Sequence, residues 1–439
     1  MLLSFLYYKR SWLWMVIIFS CISCGPSNRG LFGKKTPHEK YKKSLEDAGL
    51  YGTRLGALWA QAADKSLTRP ISVTIPYKET GYFEMDIPSA AGYIFSAKRG
   101  EMVNVNVETN PANGFLLFIE LWERIVNDEP EFMTGANAEE RNIQYEIKQD
   151  GEYIIRLQPE LLQAMAYTIT ITTGPSLAYP VNKKDNPRIL SFWGASRDGN
   201  SRSHEGIDIL APKYTPAVAV AEGFVTRVSE NNLGGRVVFL RPTGKNYSLY
   251  YAHLDTQLVR SGERVNVGDT IGLIGNTGNA QSTPAHLHFG IYTSGGAIDP
   301  LPFVNTNRPP IRTVKADTGF ITKHVRMKNT TTLYMGSSTA SVQKETINQG
   351  AIAKVLGATD DLYKIQLPSD EEGFIKSAFV TIQPLLKETI TESKPLLDSP
   401  GTNAPIKKQL MTGSTITVIG TFGDYYFVES ENIRGWIKK

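Results

Sequence analysis

The chain has 439 residues, 41% of them hydrophobic, with 47 Lys+Arg against 43 Asp+Glu and a formal net charge of +4. At about 100 to 200 residues per domain, this length indicates roughly three domains, each with enough apolar material for its own core. The near-balanced charge, with no basic run long enough to track a phosphate backbone, argues against a nucleic-acid partner.

Near the N-terminus, Lys9 and Arg10 precede an apolar stretch of about 13 residues, Ser11 to Ser23, which has the form of a secretory h-region. It is too short to span a bilayer, which takes about 20 residues. The two cysteines, Cys21 and Cys24, stand at its end. That placement excludes a disulfide in the mature chain, although an exported compartment permits one. Residues 1–24 resemble a bacterial lipoprotein signal, whose cleavage leaves an N-terminal cysteine that carries lipid. Cys24, between Ile22-Ser23 and Gly25, fits that role; Cys21 takes the place of the usual Leu and is the alternative acceptor. The resemblance implies export to the cell envelope and attachment to a membrane through the lipid.

Residues 25–69 read as a tether followed by short helices. Thr36-Pro37-His38-Glu39 is a helix start, with a Thr cap, Pro at the first position and Glu closing a capping box, and Gly49 ends that helix. His38 reads as a solvated first-turn residue. Leu55, Leu58, Trp59 and Ala62 recur at helical spacing and read as packing residues.

Over residues 70–175 the period changes to two, as in Val103-Asn104-Val105-Asn106-Val107, and the expectation is a β-sandwich. Ile143, Tyr145 and Ile147, then Asp150-Gly151, then Tyr153, Ile155 and Leu157 predict a hairpin with its turn residues in place. This region shows no catalytic constellation.

Between two linkers, Pro180 to Pro187 and Asn305 to Pro310, stand four of the six histidines: His204, His253, His286 and His288, all within 85 residues. In Pro284 to Tyr292 (PAHLHFGIY), alternation predicts a strand with His286 and His288 on one face and Leu287 and Phe289 on the other. In Ser203 to Leu210 (SHEGIDIL), Gly206 argues against a helix, so the spacing is not that of a HExxH zincin, and Glu205 is not cast as a base. An extended segment or turn would instead bring His204 and Asp208 to one face. In Leu249 to Asp255 (LYYAHLD), His253 lies in another apolar strand. Imidazole and carboxylate ligands from separate strands of one sheet suit a zinc site with three protein ligands and an open, catalytic position. A cupin reading fails, because no Glu follows His288 at the required spacing. Tyr250 and Tyr251 read as packing tyrosines, with contact to a bound substrate as the alternative, and Asp255, Asp269, Asp299 and Asn276 as turn residues.

Beyond Arg312 the chain repeats itself at a shift of 63, falling to 62: Gly350, Gly357 and Tyr363 match Gly413, Gly420 and Tyr426, and Gly373-Phe374-Ile375-Lys376 matches Gly435-Trp436-Ile437-Lys438. Residues 316–384 and 385–439 resemble paired bacterial Src-homology-three-like domains, small β-barrels that often bind cell-wall peptide. The individual aromatics Tyr363, Tyr426 and Trp436 read as core packing.

The ordered motifs His204-Glu205-Gly206-Ile207-Asp208, Tyr251-Ala252-His253-Leu254 and His286-Leu287-His288, with the glycine-spaced run Val267 to Gly278, make residues 183–307 resemble a lysostaphin-type (LytM-like) zinc metalloendopeptidase. Two departures are Pro284-Ala285 before the last motif and Gly290 after it. The resemblance implies Zn2+ held by His204, Asp208 and His288, with His253 and His286 uncoordinated beside it as catalytic groups. It also implies peptidoglycan peptide as substrate. The whole reading is a mainly β, multi-domain chain: short helices, β-sandwich, antiparallel β peptidase domain and two small barrels. The rival readings are a non-hydrolytic wall-binding scaffold or activator, and an enzyme kept latent by its N-terminal region.

Overall fold

Thr36 caps the first helix. Its hydroxyl accepts from the Glu39 backbone N–H at 3.2 Å, and the Glu39 carboxylate accepts from the Thr36 N–H at 2.8 Å, a reciprocal capping box at the head of α1 (Pro37–Asp47). Gly49 follows the C-cap with φ +70°, the left-handed conformation that favours glycine. The computed structural model describes residues 35–439, so the expected signal segment, residues 1–24 with Cys21 and Cys24, lies outside the described residues. Thr36 to Lys439 form one compact unit. As the period-two patterning predicts, it is mainly β with few helices. No helix among the described residues is long and apolar enough to cross a membrane.

His38 corrects one expectation. It is buried: its ring stacks on Trp59 of α2 (Arg54–Thr68) at 4.7 Å between centroids and shares a 2.8 Å hydrogen bond with Gln158. A first-turn position looks solvated in sequence because nothing local shows that a sheet lies over it.

Strands from Ile71 to Pro175 form two facing sheets around a common core that includes Val103, Val105, Ile119, Ile155, Ile169 and Ile171. One sheet contains β1 (Tyr77–Phe83) and β2 (Asn142–Glu146); the other contains β3 (Gly151–Pro159). The expected hairpin of β2 and β3 does not form. β2 pairs with Glu101–Asn110 (Val105↔Ile143), whereas β3 lies between Ala91–Ala97 and Leu117–Glu123 (Tyr93↔Ile155, Leu121↔Ile155). The Asp150-Gly151 turn carries the chain from one sheet to the other. The physical reason is that β3 is buried along nearly its whole length and needs a partner on each edge, which a two-stranded hairpin cannot supply.

The next segment builds a ten-stranded sheet. In chain order its elements include β4 (Arg188–Ser191), the separate two-stranded ribbon β5 (Ser196–Arg197) and β6 (Arg202–Ser203), then β7 (Ile207–Leu210), β8 (Gly235–Pro242), β9 (Ser248–Gln257) and β10 (His286–Thr293). The spatial order is β4-β7-β10-β9-β8, with antiparallel neighbours. One face packs Ile207, Ile209, Leu249, Tyr251, Leu287 and Phe289 into a core. The opposite face carries the polar residues.

The internal repeat appears twice as a three-stranded meander, once from β11 (Ile352–Thr359) and once from β12 (Thr415–Phe422), each with a bulge at the matching glycine, Gly357 and Gly420. β1 pairs with β11 (Thr80↔Ala358, Gly81↔Gly357), so the sandwich sheet continues into the first repeat. At this junction the fully buried Glu79 carboxylate accepts from the hydroxyls of Tyr77 (2.5 Å), Tyr93 (2.8 Å) and Tyr167 (3.0 Å) and from Lys364 Nζ (2.5 Å). The second repeat docks on the first through the bridge Ala351↔Thr421 and the contact of His324 with Phe427, 4.6 Å between centroids.

Candidate metal centre

Three neighbouring strands align the polar groups. In the antiparallel register Asp208 of β7 opposes His288 of β10, and His288 opposes Ala252 of β9. Directly opposed residues share a face, so Asp208, His288 and Ala252 form one rung, and His286, two residues before His288, projects from the same face. His204 reaches the rung by another route. It lies outside the strands, in the connection between β6 and β7, so strand alternation is not what joins it to Asp208. Backbone hydrogen bonds fix it instead: His204 N–H to the Ala195 carbonyl and Gly194 N–H to the His204 carbonyl, both 2.9 Å.

The three residues converge on one point. His204 Nε2, Asp208 Oδ1 and His288 Nδ1 are 3.0 Å apart in every pairing. A tetrahedral zinc ion bound at about 2.0 to 2.1 Å spaces its ligands by roughly 3.3 Å, so the donor set fits such an ion. The tautomer agrees. His204 Nδ1 lies 2.9 Å from the Phe192 carbonyl, which can only accept, so Nδ1 carries the proton and the neutral ring offers the Nε2 lone pair inward. Burial opposes ionisation of Asp208, but hydrogen bonding to His204 and His288 outweighs it and holds the carboxyl far below its usual range. The other oxygen, Oδ2, accepts from the Arg197 guanidinium at 2.7 Å, and Arg197 also donates to Ser191 Oγ at 2.8 Å.

His253 arrives by a backbone inversion. Strict alternation in β9 would put it on the core face with Tyr251. A bulge in the pairing of β8 and β9 falls between Arg236↔Leu254 and Val238↔Tyr251, and His253 takes φ +60°, which turns its ring to the cleft. Its Nδ1 lies 2.9 Å from the Thr277 carbonyl, and His286 Nδ1 lies 2.9 Å from the Pro284 carbonyl. Each ring therefore spends Nδ1–H on the backbone and leaves Nε2 for the cleft, with the two rings 4.9 Å apart. Burial first, then the neighbouring His286 and His288, pushes the His253 imidazole down to about 4, so the ring is neutral at neutral pH.

These side chains line a cleft of about 780 Å3, and all of its lining residues fall between Leu190 and Tyr292. Among the described residues, nothing from α1, α2 or the sandwich strands lines it. Tyr250 faces the cleft, edge-on to His288 at 5.8 Å, while Tyr251 is core and its hydroxyl accepts from the Val220 N–H. Sequence reasoning did not find Arg197 or the role of Gly206. Arg197 lies upstream of the first motif on a separate ribbon, and no periodicity links it to Asp208. Gly206 was noted only as a helix breaker, yet it packs directly against the His288 ring.

Residues 202–300 match the family model of Peptidase family M23. Among curated relatives, a stretch of 136 residues is 38% identical to an uncharacterized metalloprotease of Haemophilus influenzae and covers 30% of this chain and 28% of that protein. A stretch of 115 residues is 39% identical to the peptidoglycan DD-endopeptidase ShyC of Vibrio cholerae, covering 26% of this chain and 25% of that protein. A third, of 137 residues, is 32% identical to an L-Ala--D-Glu endopeptidase of Bacillus subtilis, covering 28% of this chain and 42% of that protein. The chain thus spans less than half the length of each of these relatives. The stretch that carries His204, Asp208 and His288 is thus similar to Peptidase family M23 over residues 202–300.

Proposed function

We propose that this chain is an exported zinc metalloendopeptidase that hydrolyses peptide cross-links or stems of peptidoglycan. The observation that carries the reading is the triangle of His204 Nε2, Asp208 Oδ1 and His288 Nδ1 at 3.0 Å, opening onto a cleft also lined by His253 and His286, with His286 Nε2 3.9 Å from Asp208 Oδ1. The names of two relatives, a peptidoglycan DD-endopeptidase and an L-Ala--D-Glu endopeptidase, support the substrate class.

When bound, zinc supplies Lewis acidity, polarising the scissile carbonyl and making water acidic enough to attack at neutral pH. His204, Asp208 and His288 would hold the ion, and Arg197 fixes the carboxylate through Oδ2 so that Oδ1 faces the other two donors. Of the pair His253 and His286, one neutral ring takes the proton of the attacking water at Nε2 and returns it to the leaving amine. The other, when protonated, steadies the oxyanion with its Nε2–H.

The repeats, read as Src-homology-three-like modules, keep the cleft near polymeric wall and raise the local substrate concentration even where each contact is weak. Lipid on Cys24 attaches the chain to a membrane. A non-hydrolytic activator has no use for a complete donor set, and here every donor is in place.

The test is to incubate the purified protein with isolated peptidoglycan, with and without chelator, and to identify released fragments by mass spectrometry. Chelator-sensitive release of peptide fragments is expected. If the zinc-loaded protein releases none, the hydrolytic reading falls and the activator reading replaces it.

A further inference from the structure

Thr277 stands at the end of the glycine-spaced run Val267 to Gly278, in the loop that enters β10. A Thr just ahead of the short 3-10 turn Gly278–Ala280 would ordinarily cap that turn, yet no side-chain cap bond forms. The hydroxyl turns to the sheet instead. It accepts from the Arg236 N–H of β8 at 3.0 Å and donates to the Leu254 carbonyl of β9 at 2.8 Å, bridging two residues that face each other at the edge of the bulge. Gly235 makes room for it: at φ +63°, a Cβ there would stand 2.2 Å from Thr277 Oγ1. The backbone carbonyl of the same threonine lies 2.9 Å from His253 Nδ1. Two more backbone bonds tie this loop to both auxiliary histidines, from the Gly275 N–H to the His253 carbonyl and from the His286 N–H to the Gly275 carbonyl, each 3.1 Å. None of these partners is among the three metal ligands.

We propose that Thr277 is a positioning residue: its hydroxyl bolts the loop into the bulge, so that its carbonyl holds His253 in the Nδ1–H tautomer with Nε2 directed to the cleft. The inference rests on the peptidase reading above and says what keeps one of its auxiliary rings in working form. A left-handed residue beside a bulge has lost the regular ladder that would otherwise fix its backbone. The tautomer of a neutral imidazole is set by the bond its other nitrogen makes, and here that bond is only as steady as residue 277. Valine has the shape of threonine without the hydroxyl, so it leaves the Arg236 N–H and the Leu254 carbonyl facing an apolar group. Serine keeps both bonds.

The test compares the full zinc-loaded chain with its Thr277→Val and Thr277→Ser variants. Zinc affinity is measured by chelator competition, and kcat and KM on a soluble cross-linked peptide. The His253 tautomer is read by 15N NMR of histidine-labelled protein, its signals being assigned by their loss in His253→Gln. Wild type should show the Nδ1–H form alone. Thr277→Val should keep zinc affinity and KM within about threefold of wild type, lose about ten- to a hundredfold in kcat, and show both tautomers. Thr277→Ser should recover the single tautomer and most of the turnover. A single Nδ1–H tautomer in Thr277→Val, or mixed tautomers already in wild type, would overturn the proposal. So would a Val variant whose zinc affinity falls as far as its kcat, because that marks a general support of the fold. If wild type turns over no peptide, the hydrolytic reading fails, and the tautomer comparison alone still decides for or against Thr277.

Discussion

The imidazole of His288 lies against Gly206: a Cβ added at that glycine would stand 2.7 Å from His288 Cε1 and 2.6 Å from the Phe289 carbonyl oxygen. No side chain fits without moving the ring or the strand behind it. Gly206→Ala should therefore weaken zinc binding by about ten- to a hundredfold, the usual range for disturbing the support of a ligand. Competition with a chromophoric chelator measures it, and an affinity within twofold of wild type would show that the ring can yield.

Ligands and auxiliary rings should separate experimentally. Asp208→Ala is expected to lose both zinc and turnover, whereas His286→Ala keeps its zinc and loses about 10²- to 10⁴-fold in kcat, the range typical of a positioned acid or base. Metal content by mass spectrometry beside steady-state kinetics makes the comparison. Equal loss of zinc in the two variants would refute this division of roles.

At residue 253 the usual ranking of small residues should invert. Because φ is +60° there, glycine adopts the conformation freely and alanine does not. His253→Gly should be more stable than His253→Ala by about 1 kcal/mol, while both lose turnover alike. Urea unfolding of the two variants decides the point, and an Ala variant at least as stable as the Gly variant would contradict it.

Acid should loosen the packing of the first helix against the sandwich. Burial first, and the nearby Arg156 charge next, pushes His38 from 6.5 down to about 4. Above pH 6.5 the ring is neutral in both folded and unfolded chains, and its contribution to stability is complete. As pH falls from about 6.5 towards 4, the unfolded chain takes up a proton that the folded chain refuses, so stability declines by up to about 3 kcal/mol and then levels off. His324, also pushed down to about 4 by burial, adds a loss of the same sign at the contact between the repeats. Hydrogen exchange of the α1 amides across this pH range reports the helix locally, and His38→Gln should flatten its pH dependence between 4 and 6.5; an unchanged slope would remove His38 as the cause.

Truncations should differ according to where they cut. Removing residues 312–439 strips Lys364 from the buried Glu79 carboxylate, and breaking a buried ion pair on one side costs about 3 to 5 kcal/mol, so the remainder should be destabilised. Removing residues 385–439 leaves that pair intact. The shorter truncation should impair binding to or cleavage of intact sacculi more than hydrolysis of a short soluble peptide. Equal losses on both substrates would argue against a wall-holding role for the second repeat.

How far the sequence carried can be read from individual residues. Alternation sufficed for His286 and His288, because β10 keeps strict register from His286 to Phe289 against β7. It failed at His253, where a bulge and a left-handed backbone reverse the face, and at His204, which is placed by backbone hydrogen bonds to a neighbouring turn. It also failed at Asp150-Gly151, since a turn signal marks a reversal without saying whether the next strand joins the same sheet or the facing one. Arg197 and His38 were misjudged or missed for one shared reason: each owes its environment to residues that only the folded chain brings near.

The rungs that join β1 to β11 also have a mechanical meaning. An envelope polymer swells and stretches, and a protein gripping it through its distal modules would feel that pull. Here tension applied at the C-terminal end enters the sandwich through backbone hydrogen bonds backed by the Glu79–Lys364 pair, with no slack linker at that junction to absorb it. Under the proposed function, load on the distal repeats and deformation of the sandwich would thus be mechanically connected.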